Sequence, residues 1–141
     1  MEGSPPASDT LTGHVPRILV VEDNLTNQKV VAGLLKKHGY EILVANHGRQ
    51  ALEALETSAF DLVVMDLQMP VMDGLEATRL IRRDARWQAL PIVGLTAHAL
   101  GGDRERCLEA GMSDYLSKPF RPRDLLDTVQ RFAPLPESAA K

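Results

Sequence analysis

Five side chains draw attention because of their chemistry and because each follows a short apolar run. Glu22 and Asp23 follow Ile18-Leu19-Val20-Val21, Asp66 follows Leu62-Val63-Val64-Met65, Thr96 follows Ile92-Val93-Gly94-Leu95, and Lys118 closes Tyr115-Leu116-Ser117. Brought to one edge, they gather three carboxylates, one hydroxyl and one ammonium. Clustered carboxylates repel one another unless a cation neutralises them. Oxygen-only ligands select a hard ion, and a few carboxylates with room for water suit Mg2+. A lysine and a hydroxyl beside that ion suit the equatorial oxygens of an incoming phosphoryl group. An aspartate can itself be the nucleophile, forming an acyl phosphate. Asp66, after the most hydrophobic run, is the best placed for that role.

The elements that must position these groups can be read from the same pattern. The apolar runs, with Ile42-Leu43-Val44-Ala45 among them, are near-continuous rather than alternating. That predicts strands buried on both faces of a parallel sheet. Amphipathic stretches separate them. Val30, Val31, Leu34 and Leu35 recur at helical spacing, and His38-Gly39 supplies a stop. Ala51, Leu52 and Leu55 form a second stripe, and Asp73 followed by Glu76 reads as a capping box opening a third helix through Leu80 and Ile81. Cys107, Leu108 and Ala110 mark a fourth helix stopped by Gly111, and Pro122 opens a fifth with the stripe Leu125, Leu126, Val129. Arg121 is a weak N-cap, so this fifth helix is expected to start loosely. Five strands alternating with five helices predict an α/β, (βα)5 doubly wound sandwich with right-handed crossovers. Ligands of such sheets bind at the carboxyl ends of the strands, where the strand order reverses. That edge is where the five side chains fall.

Composition removes other classes. At 141 residues the chain has room for one domain, and 44% hydrophobic with 25% charged residues is ordinary for a globular protein. A net charge of −3 speaks against a general nucleic-acid binder. A single cysteine, Cys107, excludes a disulfide framework, and the four histidines lack metal-ligand spacing. Met65, Met69 and Met72 read as packing. No apolar run reaches the ~18 residues needed to span a bilayer, and residues 1–16 have no apolar signal core, so a cytoplasmic setting without membrane contact is expected. Residues 1–16 and 134–141 are rich in Pro, Ser, Gly or Ala and read as linker or tail, leaving 17–133 as the folded unit. No phosphate-binding glycine loop follows the first strand.

Four segments together carry a family resemblance: Val20-Val21-Glu22-Asp23-Asn24, Met65-Asp66-Leu67-Gln68-Met69-Pro70 with Asp73-Gly74, Leu95-Thr96-Ala97, and Tyr115-Leu116-Ser117-Lys118-Pro119-Phe120. In this order and separation they resemble the receiver domain of two-component response regulators. The resemblance implies a flavodoxin-like five-stranded parallel sheet of order 2-1-3-4-5. It implies Asp66 as phosphoacceptor and a Mg2+ site made of Glu22, Asp23, Asp66 and the backbone carbonyl of Gln68. Lys118 and Thr96 would contact phosphoryl oxygens, and Thr96 with Tyr115 would form the switch. The Lys118–Pro119 bond is expected to be cis, a form cheap only before proline. Glu22-Asp23 can equally begin a helix capped by Asn24, and Tyr115 can be a core aromatic.

The Glu-Asp-Asn trio, Leu95-Thr96-Ala97-His98-Ala99 and Asp73-Gly74-Leu75-Glu76-Ala77-Thr78 are most similar to receivers of hybrid sensor histidine kinases. Such a receiver takes phosphate from a histidine kinase and exchanges it with a histidine phosphotransfer domain. A parent chain of that type would be a histidine kinase. The alternatives are a stand-alone single-domain regulator, a pseudo-receiver that binds proteins without phosphorylation, and a phosphatase using Asp66 covalently. The face made by the fourth helix, fifth strand and fifth helix serves either a partner or a homodimer. The lone tryptophan, Trp87, precedes the fourth strand and is expected to report site events poorly. The resemblance further implies that Gln68 and His98, two residues after Asp66 and Thr96, are near enough to the site to tune loss of the phosphoryl group. Gln68→Ala and His98→Ala are therefore expected to change the autodephosphorylation rate, measured as decay of the phosphorylated mass; unchanged rates in both would refute that role.

Overall fold

A computed structural model describes residues 15–69, 72–97 and 103–135. Strands and helices alternate strictly: β1 (Arg17–Val21), α1 (Leu25–Lys37), β2 (Glu41–Ala45), α2 (Gly48–Thr57), β3 (Leu62–Asp66), α3 (Gly74–Arg83), β4 (Ile92–Thr96), α4 (Asp103–Ala110), β5 (Asp114–Ser117) and α5 (Pro122–Phe132). A 3-10 turn, Ala85–Trp87, precedes β4. The five strands are all parallel in the order β2-β1-β3-β4-β5. The chain steps outward from β1 to β2 and then back past β1 to β3. With crossovers of one hand, that reversal sends α1 and α2 to opposite faces of the sheet.

The two faces bury alternate residues of each central strand. Leu19, Val21, Val63, Met65 and Ile92 point to one face and pack with Ala51 and Leu55 of α2, Ile81 of α3, and Cys107 and Ala110 of α4. Ile18, Val20, Leu62, Val64, Val93 and Leu95 point to the other and pack with Val31 and Leu35 of α1 and Leu125 and Val129 of α5. Both sets are buried, so β1, β3 and β4 need apolar residues at consecutive positions.

Three expectations need correction. β2 is not buried on both faces: Leu43 and Val44 are 42% and 37% exposed. It is an edge strand with one neighbour, and hydrophobicity alone does not distinguish edge from centre. Val30 and Leu108 leave their predicted stripes, at 59% and 46% exposed; the buried side of α1 is Gln28, Val31, Ala32 and Leu35, and α4 buries Cys107 and Ala110. The start of α5 is not loose. The Asp124 carboxylate accepts from the Arg121 backbone N–H (3.3 Å) and Nε (3.4 Å), compensating for the poor cap.

Two turns show how sequence terminates and aims these helices. Gly39 adopts φ 103° after α1, a left-handed conformation that favours glycine. Asp73 caps α3, its side chain accepting from Glu76 N–H at 2.8 Å. Gly74 follows, donating its N–H to Leu67 O at 3.0 Å. A Cβ at Gly74 would collide with the Asp66 carbonyl and lie 3.0 Å from Leu67 Cα, backbone atoms that cannot move aside cheaply. This glycine therefore lets α3 start against the strand end carrying Asp66.

Gly74→Ala is expected to cost about 1–3 kcal/mol in urea unfolding. Gly33→Ala, where no atom lies within 4 Å of the added Cβ, should instead stabilise α1 by about 0.5–1 kcal/mol.

Candidate functional site

β1 and β3 are paired neighbours, so their carboxyl ends lie side by side where the strand order reverses. Glu22 and Asp23 leave β1 there, and Asp66 is the last residue of β3. One carboxylate oxygen from each of the three lies within 4.8 Å of the other two. Glu22 and Asp66 are buried, whereas Asp23 is exposed. Lys118 reaches in from the β5–α5 loop, placing Nζ 3.4 Å from both Glu22 Oε1 and Asp66 Oδ1. Its backbone N–H donates to Thr96 O at 2.6 Å, joining the ends of β4 and β5. The Lys118–Pro119 bond is cis.

Backbone donors complete the setting. Asn24 N–H donates to Glu22 Oε2 at 3.1 Å, while the Asn24 side chain accepts from Asn27 N–H at 2.9 Å and caps α1. The helix-start reading and the site reading of this segment therefore hold together. Gln68 N–H donates to Asp66 Oδ1 at 3.3 Å, with the Gln68 side chain exposed at the lip. Burial pushes the Glu22 carboxyl above its ordinary value; the Asn24 N–H opposes this, the Asp66 charge adds to it, and Lys118 counters it. With all groups ionised, three carboxylates against one ammonium leave negative charge in excess, held on oxygen donors. That donor set fits a hard divalent cation.

The remaining sequence candidates fall as follows. Thr96 is buried at the end of β4, level with Ser117 in the sheet register. Tyr115 is half-buried and packs against the core cluster on the α2, α3 and α4 face. His98 lies outside the described residues. Trp87 sits before β4, at the opposite end of the strands from Asp66. Cys107, Met65 and Met72 are buried, and Met69 packs at the core edge. Gln28, Asn46 and Gln50 belong to no motif in the sequence, yet their amides bond to one another's residues and to Glu22 around the β1–α1 corner. A glutamine on the same helical side as Val31 and Leu35 was the available signal.

Residues 18–130 match the response regulator receiver domain. The chain belongs to that family. It is 41% identical over 133 residues to sensor histidine kinase GacS of Pseudomonas protegens, covering 90% of this chain and 14% of that protein. It is 39% identical to the signal transduction histidine-protein kinase BarA of Escherichia coli K12, covering 83% of this chain and 13% of that one. This receiver thus spans about a seventh of the length of these relatives. The receiver domain of sensor histidine kinase PA1611 from Pseudomonas aeruginosa, solved with a magnesium ion in its active-site cleft, is 44% identical with a TM-score of 0.79, covering 84% of this chain and 98% of that one. The receiver domain of Saccharomyces cerevisiae Ssk1, crystallised with the histidine phosphotransfer protein Ypd1, is 32% identical with a TM-score of 0.79, covering 84% and 89%.

The raised Glu22 value fixes a sign. Between the ordinary value of 4.5 and the raised one, the folded receiver holds a proton that the unfolded chain has released, so stability falls as pH rises through that window. Glu22→Gln removes this loss while keeping an acceptor for Asn24. It is expected to raise the metal-free thermal midpoint at about pH 7, with the gain vanishing near pH 4, below the ordinary value of 4.5. Thermal unfolding in a chelator at both pH values checks this; an equal gain at both would contradict it.

Proposed function

We propose that this receiver is a phosphorylation switch that accepts a phosphoryl group from a phosphohistidine onto Asp66. The observation that carries the reading is the buried Asp66 carboxylate at the end of β3, with Lys118 Nζ at 3.4 Å and the carboxylates of Glu22 and Asp23 beside it. In the transfer, a carboxylate oxygen of Asp66 bonds to phosphorus as the donor's phosphorus–nitrogen bond breaks. The electron pair leaves with the imidazole. Lys118 and the Thr96 hydroxyl hold phosphoryl oxygens. Glu22, Asp23, Asp66 and the Gln68 carbonyl would hold Mg2+, which when bound neutralises charge that otherwise repels the incoming group. The Gln68 side chain, exposed beside Asp66, and His98, two residues after Thr96 in the sequence, are the groups proposed to influence hydrolysis.

The same reading extends to the readout. Lys118 N–H is bonded to Thr96 O, so the phosphate-binding groups of β4 and the β5–α5 loop are mechanically joined. Phosphorylation shifts a pre-existing two-state balance through Thr96 and Tyr115 to the α4–β5–α5 face, which then engages a partner or a second copy. The partner is a histidine phosphotransfer domain or a histidine kinase, as the Ypd1-bound neighbour suggests by analogy. Because its relatives are much longer kinases, the segment 17–133 is read as the receiver of a hybrid histidine kinase, acting on the cytoplasmic side. No helix among the described residues is long and apolar enough to cross a membrane.

With Mg2+ and a small phosphodonor, the parent is expected to gain one phosphoryl mass transiently and Asp66→Asn to gain none, followed by intact mass spectrometry. Absence of an adduct on the parent would point to a pseudo-receiver. Sustained turnover of varied phosphate esters would point to a phosphatase.

A further inference from the structure

We infer that Gln28 is a positioning residue for the metal-binding carboxylates, acting through the Glu22 backbone. This rests on the proposed metal site and deepens it. Gln28 is 8% exposed, on the side of α1 that buries Val31, Ala32 and Leu35. An amide there is costly unless its polar atoms are satisfied. Its Nε2 makes two hydrogen bonds, one to the Glu22 carbonyl and one to Asn46 Oδ1 at 2.7 Å. Asn46 N–H in turn donates to Gln50 Oε1 at 2.7 Å, in the first turn of α2. One amide thus ties the end of β1 to α1 and to the loop entering α2.

The consequence follows from peptide planarity. The Glu22 carbonyl and the Asp23 Cα belong to one rigid plane. Fixing that oxygen, with Glu22 N–H already bound to Ala45 O at 3.0 Å, fixes the origin of the Asp23 side chain relative to Asp66. Asp23 is exposed, so packing does not aim it. The brace on its preceding peptide does. Outer groups that orient metal ligands commonly carry about 10-fold or more of the affinity.

The test titrates Mg2+ calorimetrically and measures thermal midpoints in chelator. Gln28→Leu keeps bulk and removes both donors; it is expected to weaken Mg2+ binding about tenfold. Asn46→Ala, at an exposed position, is expected to weaken it in the same direction by about threefold. Thr128→Val, a buried polar change in the middle of α5, should alter the midpoint but leave Mg2+ affinity within about twofold of the parent. Parent-like affinity in Gln28→Leu overturns the positioning role alone, as does a loss in Thr128→Val equal to that in Gln28→Leu. If Gln28→Leu does not fold, Asn46→Ala decides, and unchanged affinity overturns the role. A parent that binds no Mg2+ overturns the functional reading and this one with it.

Discussion

Mutual repulsion among Glu22, Asp23 and Asp66 is the constraint around which the receiver is built. Two of these carboxylates are buried, where a charge is poorly solvated. Lys118 sits 3.4 Å from each of those two. At an effective dielectric near 20, one unit-charge contact at about 4 Å is worth about 4 kcal/mol, and carboxylate–carboxylate repulsion at similar distance has the same size. One lysine therefore cannot offset the whole cluster. The arrangement holds because its side chains leave strands fixed on both flanks by parallel ladders. The rest of the charge compensation is left to a cation and to the chemistry the site performs.

The sheet order makes that convergence possible. β1 and β3 are neighbours only because β2 is displaced to the edge. Helices then cover both faces and leave the carboxyl edge open. Close approach at that edge needs Gly74, without which α3 could not begin beside the Asp66 carbonyl. The opposite edge is organised differently. Arg86 stacks over Trp87 at 4.4 Å and pairs with both Glu56 and Asp84, holding the Asp84 carboxyl down at about 2. These groups are solvent-exposed, and such pairs fix geometry more than they add stability. There the surplus carboxylate stands in solvent, whereas at the carboxyl edge two of the three carboxylates are buried.

Much of this is legible in the sequence. Central strands buried on both faces must be apolar at consecutive positions, so β1, β3 and β4 announce themselves, and the polar residue ending each run marks the functional edge. Edge strands follow weaker rules. Ile42-Leu43-Val44-Ala45 looks like a central strand yet carries exposed Leu43 and Val44, because its sequence records β-propensity and not its number of neighbours. Val30 misled for a similar reason, since an apolar residue next to a helical stripe resembles one inside it. Arg121 misled because the compensating group, Asp124, stands three residues later. The Gln28–Asn46–Gln50 network was illegible because it joins three elements whose proximity only the tertiary structure creates.

That network also explains why α1 is more than a crossover. Val31 and Leu35 fasten the helix to the sheet with the apolar contacts any such helix needs. Its opening residues do something else: Asn24 caps the helix while its N–H bonds the Glu22 carboxylate, and Gln28 spends its amide on the Glu22 carbonyl and on Asn46. The carboxylate pair is therefore held by the first turns of a helix that the core holds further along. A rigid peptide plane, a helix start and a neighbouring loop together aim an exposed aspartate that packing cannot reach. Positioning at the edge of a fold is achieved by lending it the rigidity of the core, and α1 is the element through which that rigidity passes from Leu35 to Asp23.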